Sequence, residues 1–141
     1  MEENNQSNEG QVYKMSTLNV TNAQITTLKD ASGNNSSIPS AIAEGRAKCW
    51  CNFDESGTLA DSFNTASITD NATGDWTVNI ATDMSNANFA FSCSVNAEAD
   101  VDRTLMGKAS AAAGTLQVAC HAQNGANTDE EAMSVIIFGD Q

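Results

Sequence analysis

Ala47-Lys48-Cys49-Trp50-Cys51-Asn52-Phe53 alternates without interruption: Ala47, Cys49, Cys51 and Phe53 fall on one side, Lys48, Trp50 and Asn52 on the other. A period of two over this length is the signature of a half-buried β-strand, because successive side chains leave a strand on opposite faces. The period returns downstream. Trp76, Val78 and Ile80 alternate with Thr77 and Asn79; Phe89, Phe91, Cys93 and Val95 share one face; so do Leu116, Val118 and Cys120. The chain is therefore expected to be all-β. The preceding Ala43-Glu44-Gly45-Arg46 marks where a polar, low-complexity segment stops and a packed core begins.

Working outward, 141 residues suit one domain, and a composition 40% hydrophobic, rich in Asn, Thr and Ser, suits short strands and many turns better than long helices. A single Pro excludes rigid Pro-rich linkers. Eighteen acids against six bases give a net charge of −12. Nucleic acid requires a basic stripe to displace counterions, so no nucleic-acid partner is expected, and an anionic membrane surface is disfavoured for the same reason. The charge suits solubility and resistance to self-association, or docking onto a basic surface. No apolar run approaches the roughly 18 residues that span a bilayer, so no membrane insertion is expected. No basic segment followed by an apolar one opens the chain, which points to cytoplasmic synthesis. The sequons at Asn19, Asn34, Asn35 and Asn71 then reflect Asn, Ser and Thr richness.

Two regions are expected. Residues 1–46 read as an extended N-terminal arm for anchoring and oligomerisation. Its first 14 residues are polar and acidic apart from Val12 and Tyr13, a composition that is ordered only when a partner holds it. Further on, Leu18, Val20, Ile25, Leu28, Ile38 and Ile42 are too sparse to form a core and suit packing on neighbouring chains. Asp30-Ala31-Ser32-Gly33-Asn34-Asn35 is a loop, and Pro39 followed by Ser40-Ala41-Ile42-Ala43-Glu44 and Gly45 predicts one short helical turn. Residues 47–141 read as an antiparallel β-sandwich, jelly-roll-like, with strands at 47–53, 59–63 running on to Ile68, 76–80, 89–95, 116–120 and 133–138. Asp54-Glu55-Ser56-Gly57 is read as a turn and Asp70 to Asp75 as a hairpin loop. The polar segment 96–103 and the Ala-rich stretch 109–114 are read without strand, and 123–131 as a long polar loop. The continuous apolar run Val135-Ile136-Ile137-Phe138 predicts a strand covered on both faces.

Candidate chemistry is thin. Cys49, Cys51, Cys93 and Cys120 all fall on inward faces, as small core hydrophobes do. Disulfides are disfavoured by a cytosolic origin, and zinc by the lack of a Cys-x-x-Cys knuckle. His121 directly follows Cys120, so the two point to opposite faces and cannot form a nucleophile–base pair. It is read as a surface or interface histidine. Asp100-Val101-Asp102 and Asp129-Glu130-Glu131 match no calcium loop and are read as solvated loop acids. No phosphate-cradling loop, nucleophile elbow or His-Glu-x-x-His motif occurs. The chain is read as a non-enzyme with no catalytic residues, metal or cofactor. Trp50 fits two readings: the far side of the sandwich or an edge covered by a loop on one hand, a hydrophobic anchor between subunits on the other.

Ser16-Thr17-Leu18-Asn19-Val20, Ala31-Ser32-Gly33-Asn34, Ile38-Pro39 and 43–53 form an ordered series. It continues through Ser62-Phe63-Asn64, 67–71, Thr73-Gly74-Asp75-Trp76-Thr77-Val78-Asn79-Ile80 and 84–89. This series resembles the small tail-fibre-type and decoration virion proteins of tailed bacteriophages, common in marine and cyanobacterial phages. Relatives show aliphatic residues at the positions of Cys49 and Cys51, which agrees with core filling. Met15 sits where such proteins tend to begin, so residues 1–14 look like an added arm. The resemblance implies a structural virion component, a homotrimer contacting phage capsid or tail proteins, and no catalytic residue. Small size favours a capsid decoration protein or short fibre over a long receptor-seeking fibre. The interface residues expected are Tyr13, Leu18, Val20, Ile25, Leu28 and Trp50. The alternative is a lectin-like module that recognises a host surface glycan through 96–103 and 123–131.

Overall fold

The computed structural model describes residues 27–29, 36, 37, 39–96, 102–108 and 110–141. Expectations for Tyr13, Leu18, Val20 and Ile25 lie outside the described residues. Leu28 lies in a two-residue strand, β1 (Leu28–Lys29), paired antiparallel with β2 (Ser36–Ser37). The short helix α1 (Pro39–Glu44) forms where Pro pre-sets the first helical φ and Gly45 ends the turn, its N–H donating to the Ala41 carbonyl at 2.9 Å. Ala41 to Glu44 are all exposed.

Eight strands follow: β3 (Cys49–Phe53), β4 (Leu59–Phe63), β5 (Thr65–Ala72), β6 (Asp75–Ile80), β7 (Ala90–Asn96), β8 (Arg103–Gly107), β9 (Thr115–Ala122) and β10 (Ala132–Phe138). They form two four-stranded antiparallel sheets, ordered β4-β3-β10-β7 and β5-β6-β9-β8. The inward faces pack together as a sandwich. Cys49, Cys51, Phe53, Met133, Val135 and Ile137 come from the first sheet, and Trp76, Val78, Leu116, Val118 and Cys120 from the second. Phe53 and Trp76 meet edge-to-face at 5.9 Å, and the indole N–H donates to the Glu55 carbonyl at 2.9 Å. The alternation at 47–53 therefore sorts inward from outward as expected, with one departure: Lys48 is 9% exposed.

The chain changes sheets at Asn64, the one described non-glycine with positive φ (55°), a conformation that Asn tolerates. Its amide donates to the carbonyls of Lys48 (2.9 Å) and Thr82 (3.1 Å), and its oxygen accepts the Thr82 N–H at 2.8 Å. One side chain thus pins the corner between β4 and β5 to both sheets. On the opposite side the edge strands β7 and β8 meet. The Phe91 ring lies over Gly107, where a Cβ would stand 2.1 Å from a ring carbon, and the Cys93 thiol donates to the Leu105 carbonyl at 3.1 Å.

Two sequence expectations need correction. The stretch 104–107, given no element by the sequence reading, together with Arg103 at the end of the expected polar segment, forms strand β8: its edge position asks for only one buried residue, Leu105, so the period is barely written there. The hairpin expected across Asp70–Asp75 is tighter, with β5 running on to Ala72 and only Thr73-Gly74 between the strands. Gly74 (φ +66°) is required there, since a Cβ would lie 2.6 Å from the Thr128 nitrogen and 2.7 Å from the Cys120 carbonyl oxygen.

Candidate interaction surface

The outward face of β5-β6-β9-β8 carries Ser67, Thr69, Thr77, Asn79, Asp75 and Gln117 in adjacent rows. These groups pair with one another. The Asn79 amide donates to the Ser67 hydroxyl (3.1 Å) and the Thr69 hydroxyl (2.9 Å). The Asn71 amide donates to Thr77 (2.9 Å) and to Asp75 (3.2 Å). Asp75 also accepts from Lys108 at 2.6 Å and from Gln117 at 2.8 Å. Burial alone would raise the Asp75 pKa; the hydrogen bonds from Lys108, Gln117 and Asn71, with the Lys108 charge, hold it below the usual carboxylate range.

The outward face of β4-β3-β10-β7 is built differently. Register aligns Phe63, Trp50, Ile136 and Ser92 in one row across all four strands, and Asp61, Asn52, Ser134 and Ser94 in the next. Phe138, paired with Ala90, lies on the same face two residues further along β10. Phe63 is 51% exposed and Phe138 36%, while Trp50 and Ile136 are half-buried. A groove of about 280 Å³ crosses the face between the Trp50 and Ser92 columns, and every residue lining it is uncharged. Across its floor the Asn52 amide donates to the Ser134 hydroxyl at 2.9 Å. Of the six interface residues expected, Trp50 is the one whose side chain is described, and it lies at the centre of this face. The structure adds Phe63, Ile136 and Phe138 to it. Cross-strand register brings Phe63 and Ile136 to Trp50, and register is not written in any one segment of sequence.

The run 135–138 was expected to be covered on both faces. Val135 and Ile137 are buried, but Ile136 and Phe138 look outward and no other layer of the chain's described residues seals them.

The remaining candidate chemistry is turned inward. Cys49, Cys51 and Cys120 are buried, Cys93 is half-buried, and all four are free thiols. Burial raises each thiol pKa, that of Cys51 to about 12 with the neighbouring Cys49 adding to the effect. The Thr65 hydroxyl donates to the Trp50 carbonyl at 3.1 Å, leaving the Cys49 thiol to donate to Thr65 at 3.2 Å. Such thiols are fillers rather than nucleophiles. His121 is half-buried, and its Nδ1 is buried with no hydrogen-bond partner among the described residues.

The expectation of solvated acids at 129–131 fails for Glu130, while Asp129 is exposed but hydrogen-bonded. Glu130 is 7% exposed and ion-paired with Arg103, and Asp129 accepts the Gly74 N–H at 2.6 Å. These acids tie the loop to β8 and to the β5–β6 hairpin. A second concavity of about 410 Å³ is lined by Asp54, Glu55, Glu131 and Ala132, but Asp54 is engaged in its own turn, accepting from the Ser56 and Thr58 amides at 3.0 and 2.8 Å. No group of three His, Cys, Asp or Glu among the described residues is placed to hold a metal ion. No described helix is long and apolar enough to cross a membrane.

Comparison with protein-family models, with curated proteins and with solved structures found no match.

Proposed function

We propose that the chain is a structural component of a bacteriophage virion, a short homotrimeric fibre or capsid decoration protein that works by contact. The observation that carries this reading is the apolar row Phe63–Trp50–Ile136 on the outside of a sandwich whose other outer face is mostly polar and cross-linked by its own side-chain hydrogen bonds. A protein that acts by being packed against others presents such a surface. The ordered likeness of about 15–95 to tail-fibre-type proteins gives the kind of assembly. Residues 1–46 serve as the anchoring arm and the β domain is displayed outward. In this reading the protein resides on the virion and carries no catalytic centre or cofactor. The pairing of the first and last strands of the domain, β3 with β10, supports the jelly-roll-like reading. The likeness stops where β3–β4, β5–β6 and β8–β9 pair as hairpins within one sheet.

The glycan-binding alternative draws little from 123–131, whose Asp129 and Glu130 are committed to internal contacts. Reconstruction of the parent particle by cryo-electron microscopy tests the proposal. Density for the domain on capsid or tail is expected, with a chain lacking residues 1–46 absent from particles. Unchanged occupancy of the truncated chain rules out the anchoring role, and a particle without this density rules out the virion assignment.

A further inference from the structure

We infer that the outer face of β4-β3-β10-β7, centred on Trp50 and Ile136, is the surface by which one copy of this chain packs on another. The inference rests on the reading of the chain as an oligomeric structural protein and names the surface that makes the oligomer.

Three observations converge. β10 is an interior strand of its sheet with a continuous apolar run, the pattern of a strand covered on both sides, yet one side is open in the single chain. The apolar row is continuous across three strands: Phe63 of β4, Trp50 of β3 and Ile136 of β10 are direct register neighbours, and Phe138 lies two residues further along β10 on the same face. Isolated exposed apolar residues need no explanation, but an aligned set flanking a groove marks a contact surface.

Charge selects the occupant. The chain has 18 acids and 6 bases, so two copies repel wherever acidic surface meets acidic surface. The groove is nevertheless lined without a charged residue. A basic partner would be drawn to the acidic remainder and would gain nothing electrostatic from a neutral patch. A second copy is the partner for which an uncharged, apolar area in an acidic surface is the favourable meeting place. Aromatic residues such as Trp50 and Phe63 are also what the buried centre of such a contact contains.

Sedimentation equilibrium of the full chain tests this, with F63K and I136K as disrupting variants and T104K on the opposite outer face as control. Phe63 is half-exposed, so F63K leaves the core intact even if I136K fails to fold, and circular dichroism reports folding of each. The wild type and T104K are expected at a small multiple of 14.8 kDa, and folded F63K at 14.8 kDa, with at least a tenfold weaker association constant. A wild type that stays monomeric overturns the inference, as does F63K with undiminished association. In the second case the chain is still an oligomer and the virion reading stands. Monomeric wild type with domain density on particles assigns the face to a different virion protein and likewise overturns it.

Discussion

On the outside of β5-β6-β9-β8, Asn71, Asp75, Thr77 and Gln117 are joined by side-chain hydrogen bonds, and Asn79 bonds to Ser67 and Thr69 beside them. On the outside of β4-β3-β10-β7, the corresponding central row is Phe63, Trp50 and Ile136. Both faces belong to antiparallel sheets over one shared core, so backbone pairing does not distinguish them. They differ in how the outward surface is completed. One finishes itself with side-chain bonds inside the chain, and its contribution is to folding. The other leaves apolar area in water, and its contribution comes when a second surface covers it. Variants on the first face should therefore cost folding stability and leave assembly alone, and variants on the second should do the reverse.

The largest folding effect is expected at the end of the polar sheet. Glu130→Ala strands Arg103 beside a buried gap and should destabilise the domain by about 3 kcal/mol, measured by urea unfolding. A loss under 1 kcal/mol would mean that the pair is solvent-screened and the loop independent. Asp75→Ala removes the acceptor shared by Lys108, Gln117 and Asn71 and should cost about 2 kcal/mol. The same carboxylate gives a pH dependence. Its folded pKa lies below the ordinary 3.8, so its stabilisation is present above that value and lost as pH falls through and below it. The wild-type melting temperature should drop more steeply below pH 4 than that of Asp75→Ala; parallel curves would remove Asp75 from the hub of the face.

Cys49→Val and Cys51→Val test the core that both faces share. Each keeps the volume close and replaces a neutral buried thiol, so each should cost no more than about 1.5 kcal/mol. A larger loss at Cys49 alone would assign weight to its bond with Thr65. The smallest folding effect is expected on the apolar face: Phe63→Ser should change the unfolding free energy by about 0.5 kcal/mol or less, because the ring is half in water already. A large loss there would make Phe63 part of the fold and erase the contrast between the faces.

Much of this was legible in the sequence where one residue pattern decides one local structure. The alternation at 49–53, 76–80 and 116–120 sorted core from surface, Pro39 and Gly45 bounded the helical turn, and Asp54 to Gly57 closed as the expected turn. The failures share a cause. β8 buries one large side chain, so its period is too brief to read. Glu130 reads as a loop acid until the fold carries Arg103 to it from 27 residues away. Trp50 was identifiable as an outward aromatic, but the row it belongs to depends on the register of three strands drawn from distant parts of the chain. Register is settled by the whole sandwich, and so the candidate surface emerged only with the fold.

Hydroxyl-radical footprinting of the assembled full-length protein addresses the difference between the faces most directly. Met106, 44% exposed on the polar sheet's outer face, serves as an internal reference for Phe63, 51% exposed, and for half-buried Trp50. Raising the concentration from the dissociated to the assembled range should protect Phe63 and Trp50 several-fold while Met106 oxidises as before. Phe63 and Trp50 that stay as reactive in the assembly as in the single chain would contradict a buried apolar face.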